Sequence, residues 1–176
     1  MAAALFKLSS KKRPSHRYDT EVPENQSAID KFLKLPEDSL MRAPSECLIY
    51  LIDEVTASGK ALREHRPGLA LYWIWFSDKI IQVIMKRLDE FSPEIQTKFG
   101  SIIENIRGQG NNAVKAYEAA AKKGFVLAQY YLGYMYRNGS CVPQDNVLAR
   151  KWYTIAAQNG HPHAQHSLKF MDLNGI

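Results

Sequence analysis

Cysteine is scarce in this chain, with two residues, Cys47 and Cys141, in 176. They lie in different regions, which excludes the disulfide framework that small secreted domains rely on, and a reducing, cytoplasmic location is the expectation. Long apolar runs are also missing. The most apolar stretch, 69–76, is far short of the roughly 20 residues that cross a bilayer, so no spanning helix is expected. The run 2–6 is too short for a secretory signal core, and its charges follow it instead of preceding it. No phosphate-cradling glycine loop, nucleophile elbow or zinc-protease signature occurs. The chain is therefore not expected to be an enzyme or to need a cofactor. Alternating strand patterns are absent throughout, which leaves an all-α class.

Acidic residues are missing from the start. Lys7, Lys11, Lys12, Arg13 and Arg17 all precede the first acid, Asp19, and account for the net charge of +5. Residues 1–27 are rich in Ser, Lys and Pro and have no apolar period, so they cannot recover the entropy of ordering and are expected to be a disordered basic tail. Such a tail is commonly a solvated appendage. Lys11, Lys12, Arg13 and Arg17 could also touch nucleic acid or an anionic surface, which would make the chain an accessory protein whose affinity falls steeply with salt.

What is present is apolar periodicity. With 45% hydrophobic and 11% aromatic residues the chain can bury a core. Residues 28–110 read as an N-terminal helical bundle. Leu48, Ile49, Ile52, Val55 and Leu62 form one helical stripe, broken near His65-Arg-Pro-Gly68, and a second helix runs from Leu69 through Ile80, Ile81, Val83, Ile84 and Leu88. Ser92-Pro-Glu-Ile is a helix start with proline at the first helical position. Phe99, Ile102, Ile103 and Ile106 make the third stripe.

The remaining stretch repeats itself. Laying 113–139 over 149–175 gives 12 identities in 27 positions without a gap, among them Lys115/Lys151, Tyr117/Tyr153, Ala120/Ala156, Gly124/Gly160, Leu132/Leu168 and Met135/Met171. Alanines at helical spacing allow close helix approach, Tyr, Leu and Met fill the space between, and Gly124 and Gly160 stand where a helix ends on positive φ. Each copy reads as helix, turn, helix, over 111–144 and 145–176, with Asp145 capping the second.

Taken together, Ala119–Gly124, Ala128–Tyr136, Asn138-Gly139, Val142–Asp145, Trp152-Tyr153 and Ala156–Gly160 resemble the Sel-one-like repeat, a relative of the tetratricopeptide repeat. The likeness covers 111–176, and Cys141 departs from it, since the family usually has glycine before that valine. The short polar joint at 108–112 leads us to expect the N-terminal bundle packed on the first repeat, and the resemblance implies a short α-solenoid of two hairpins. It also implies a protein-interaction module (an adaptor, scaffold or regulator) whose first helices line a groove for a partner's peptide or helix. The candidate groove residues are then Asn112, Lys115, Glu118, Lys122 and Lys151. Phe170 and Leu173, on the last helix, form a candidate contact surface through which a second copy could bind.

Other constellations carry less. His161, His163 and His166 have no acidic or cysteine ligand at spacing that suits zinc. Tyr72, Trp73, Trp75 and Phe76 read as core aromatics. Asp53-Glu54 and Asp89-Glu90, being adjacent, point to different sides of a helix and make no acid–base couple. Cys47 sits in an apolar pattern as an inert thiol, and Cys141 has no base beside it.

Overall fold

The computed structural model describes residues 40–45, 47–49, 52–53, 67–106 and 108–176; for 67–76 it describes the backbone alone. The basic tail, the aromatic run 72–76 and, of the first apolar stripe, Val55 and Leu62 therefore lie outside the described side chains. Every regular element among the described residues is helical. The chain divides into two compact units, 1–86 and 87–176.

In the first unit Leu40, Ala43, Cys47, Leu48, Ile49 and Ile52 are buried. Helix α1, Pro67–Lys86, carries buried Ile80, Ile81, Val83 and Ile84. It ends at Lys86 instead of continuing through Leu88, and a 3-10 turn, Leu88–Glu90, follows.

The second unit contains five helices: α2 Pro93–Ile103, α3 Gly110–Lys122, α4 Val126–Asn138, α5 Asn146–Gln158 and α6 Pro162–Leu173. Ser92 caps α2 by accepting a hydrogen bond from the Ile95 backbone N–H, with Pro93 at the first turn as the sequence demands. Asp145 caps α5 the same way, accepting from Leu148 N–H at 2.9 Å. Gly124 and Gly160 take φ of +85° and +88°. At both, the next residue's N–H returns five positions, Phe125 to Ala120 O and His161 to Ala156 O, which closes each helix end with the same wrapped turn.

The core of the unit is built from Tyr117 and Tyr153, which share a repeat position and are both fully buried. Each lies against a glycine of the preceding helix, Tyr117 on Gly100 of α2 and Tyr153 on Gly133 of α4. The most extensive helix contacts are accordingly α2 with α3 and α4 with α5. Ala120 and Ala156 are fully buried, as the repeat register predicts, and so is Leu132. Leu168 is only half-buried, because its helix α6 has α5 as its main neighbour.

A second regularity lies upstream of the repeats read from sequence. Gln96 and Gln129, 33 positions apart, are both buried, and each donates its side-chain N–H to a carbonyl eight residues earlier, Leu88 O at 2.6 Å and Ala121 O at 3.3 Å. Reach-back contacts recur too. Lys123 donates to Asp89 O and Phe91 O, and Asn159, at the equivalent position of the next copy, donates to Gln129 Oε1 at 2.9 Å. Helix α2 thus has the structural role of a second repeat helix, although the sequence assigns it to the bundle.

Candidate functional site

The five groove residues divide in two. Lys115, Lys122 and Lys151 are exposed. Lys115, Glu118 and Lys122 keep the i, i+3, i+7 spacing of one helix face. Asn112 and Glu118 are instead half-buried. Asn112 donates to Gln109 Oε1 at 2.7 Å. Glu118 lies near Tyr136, whose hydroxyl is held above its ordinary range by burial first and then by the charges of Glu118 and Asp145.

A concavity of the second unit lies elsewhere, and none of those five residues lines it. A cleft of about 390 Å³ opens between the end of α2, helix α4 and the loop after it. Glu104 and Asn105 line it from the end of α2, Tyr130, Tyr131, Tyr134 and Met135 from α4, and Ser140 and Cys141 from the loop. The rings run on as a ladder: Tyr117 to Tyr131 at 5.3 Å between centroids, Tyr131 to Tyr130 at 6.1 Å, and Tyr130 stacked on His161 at 4.3 Å. Glu104 Oε2 accepts the Tyr117 hydroxyl at 2.9 Å. The Tyr117 hydroxyl is held far above its ordinary range by burial and by Glu104. Burial, then Glu104, also raises the Cys141 thiol, which makes it a poorer nucleophile than a free cysteine. Sequence reasoning missed this cleft, although one signal was present: Tyr130, Tyr131 and Tyr134 stand where the second copy has His166, Ser167 and Phe170.

The His161 and His163 ring centroids lie 5.9 Å apart, but two rings do not make a metal site. No group of three or more His, Cys, Asp or Glu capable of holding a metal occurs among the described residues. His163 and His166 are exposed, while His161 packs on Tyr130. Burial first, then the neighbouring His163, holds His161 below its ordinary value of 6.5. The unfolded chain therefore takes up this proton at higher pH than the folded one. The stability contributed is fully present above pH 6.5 and is lost as pH falls from there towards the folded value. The thermal midpoint should drop on acidification below pH 6.5, and His161→Gln should flatten that part of the profile. A midpoint that rises on acidification would contradict it.

On α6, Phe170 is 46% and Leu173 78% exposed, while Met171 between them is fully buried. The Arg137 guanidinium covers one face of Phe170, 4.4 Å from the ring centroid. No helix among the described residues is long and apolar enough to cross a membrane.

The geometry defines a class first: paired antiparallel helices in register, with a tyrosine-on-glycine core repeated along the chain. Residues 126–161, spanning α4, the connecting loop, α5 and the turn after it, match the Sel1 repeat family. These residues thus carry Sel1-type repeat structure, and Sel1 repeats are generally protein–protein interaction modules and typically non-catalytic. Among solved structures, that of a Sel1 repeat protein from Oxalobacter formigenes is similar, with a TM-score of 0.43 and 26% identity over 82% of this chain and 98% of that one. Among curated proteins none matches.

Proposed function

We propose that this chain is a non-enzymatic interaction module of a reducing, cytoplasmic compartment, an adaptor or regulator that holds an acidic peptide or helix of a partner protein along the solvent side of α3 and α5. The observation that carries the reading is the pair Lys115 and Lys151, one repeat apart and both exposed, while Ala116, Tyr117 and Tyr153 beside them are buried. Neither lysine makes a hydrogen bond or ion pair among the described residues, so neither has a structural task. Free thiols at Cys47 and Cys141 suit the compartment.

Lys115→Glu combined with Lys151→Glu should weaken partner capture by about tenfold or more, since two like-charge contacts replace two attractive ones. The unfolding midpoint should stay where it is, as both side chains are exposed. A double variant that captures every partner unchanged would place binding on another surface, and one that unfolds would show that the lysines are structural.

A further inference from the structure

The cleft between α2 and α4 has a chemistry the groove reading does not use. Its wall carries three tyrosine rings, with Tyr130 and Tyr131 half-buried and Tyr134 49% exposed. The faces of such rings are electron-rich and attract cations. The Glu104 carboxylate lines the same cleft. It spends one of its roughly four acceptor sites on the Tyr117 hydroxyl, and no basic side chain pairs with it among the described residues. Two basic groups of this unit are committed elsewhere: Arg137 lies over the Phe170 ring, and the Lys123 ammonium lies on the carbonyls of Asp89 and Phe91. Burial first, and then the Glu104 charge, raises both the Tyr117 hydroxyl and the Cys141 thiol. Asn105 and Ser140 add polar groups at the rim. At about 390 Å³ the cleft is at the small end of the range of ligand sites, roughly 300–1,000 Å³, a size for one long side chain and not for a helix.

We propose that this cleft is a second binding site, which takes an arginine side chain of the partner protein between the Tyr130, Tyr131 and Tyr134 rings and the Glu104 carboxylate. The inference rests on reading the chain as a protein-binding module and names a chemistry for that partner. Arginine fits better than lysine because its planar guanidinium stacks on a ring and forks onto a carboxylate at once, whereas an ammonium is a compact, strongly hydrated point charge. An anionic ligand is excluded by Glu104, and a purely apolar one would leave that carboxylate buried without compensation.

The test is a titration of the full chain with N-acetyl-arginine-amide, followed by NMR, against N-acetyl-citrulline-amide, its uncharged isostere, and N-acetyl-lysine-amide. Arginine-amide should bind saturably, with shifts concentrated at Tyr130, Tyr131 and Tyr134, and the citrulline and lysine probes should each bind about tenfold more weakly or worse. Glu104→Gln should lower arginine-amide affinity about tenfold while the midpoint of unfolding holds, because a carboxamide oxygen still accepts the Tyr117 hydroxyl. Should Glu104→Gln fail to fold, Tyr134→Ala, at an exposed position, must weaken binding by several-fold. Equal binding of the citrulline or lysine probe, shifts located elsewhere, or unchanged affinity in these variants would overturn the proposal. The variant Lys115→Glu, Lys151→Glu should bind arginine-amide normally, so failure of the groove reading and failure of this one are told apart.

Discussion

Tyr153→Ala is expected to lower the unfolding free energy by about 3–5 kcal/mol, the cost of emptying a large, fully buried aromatic site. For a unit of this size that is a fall of more than about 10 °C in the midpoint of unfolding. Its partner on the facing helix makes the test sharper. A methyl group at Gly133 would stand 2.6 Å from Tyr153 Cδ1 and 2.8 Å from Cε1, inside any real carbon contact. Gly133→Ala alone should therefore destabilise, since overpacking costs about 1–3 kcal/mol, more than the roughly 1 kcal/mol that alanine gains over glycine in a helix. In the Tyr153→Ala background the obstacle is gone and the sign should reverse: Gly133→Ala then gains helix propensity and fills part of the cavity. Chemical denaturation of the four proteins closes the cycle. If Gly133→Ala destabilises equally in both backgrounds, the ring and the glycine are not what sets the distance between α4 and α5.

The fold was legible wherever a residue type has one physical use. Gly124, Gly160, Ser92 and Asp145 each announced a helix boundary, because positive φ and N-capping accept so few residues. Tyr117, Tyr153, Ala120 and Ala156 were legible because identical residues at a fixed offset must occupy equivalent sites. The structural part of α2 was not. At an offset of 33 from the first copy it keeps Gln96 for Gln129 and Gly100 for Gly133, but has Phe99 for Leu132 and Ile103 for Tyr136. Burial conserves size and polarity pattern more than identity, so the buried set Ile80, Ile81, Val83, Ile84 and Leu88 falls 33 positions before Ala113, Val114, Ala116, Tyr117 and Ala121 without sharing one residue with it. An identity-based overlay stops at Ala113 for that reason.

The candidate site was harder to read than the fold. Spacing alone put Asn112 and Glu118 on the same face as Lys115 and Lys122, but spacing does not say whether a polar side chain is spent on its own helix, as Asn112 is on Gln109. The tyrosine cleft needs three separate segments, the end of α2, helix α4 and the loop at Ser140 and Cys141, and their convergence depends on the packing of α2 that the sequence did not disclose.

Cys141 departs from the repeat pattern, and its setting gives the last expectation. It has φ of +64°, the only non-glycine residue at positive φ among those described, a conformation that costs an ordinary residue about 1 kcal/mol or more. Its side chain reaches into space left by Gly110 at the start of α3. A methyl group on Gly110 would lie 2.7 Å from Cys141 Cβ and 2.8 Å from Sγ. The two positions are therefore exchanged relative to expectation: the loop carries the side chain and the helix start carries the glycine. Gly110→Ala should cost about 1–3 kcal/mol by overpacking against the loop. Cys141→Gly alone should be close to neutral, since relief of backbone strain is offset by the greater freedom of the unfolded chain, about 0.4–1 kcal/mol, and by lost packing. Together they should restore most of what Gly110→Ala loses, because the obstructing Cβ and Sγ are gone and the loop takes up positive φ without strain. A coupling above about 1 kcal/mol between the two sites is the expected reading of the double-mutant cycle. Losses that simply add would mean that the loop moves aside for a methyl group and that Cys141 does not fix where α3 begins.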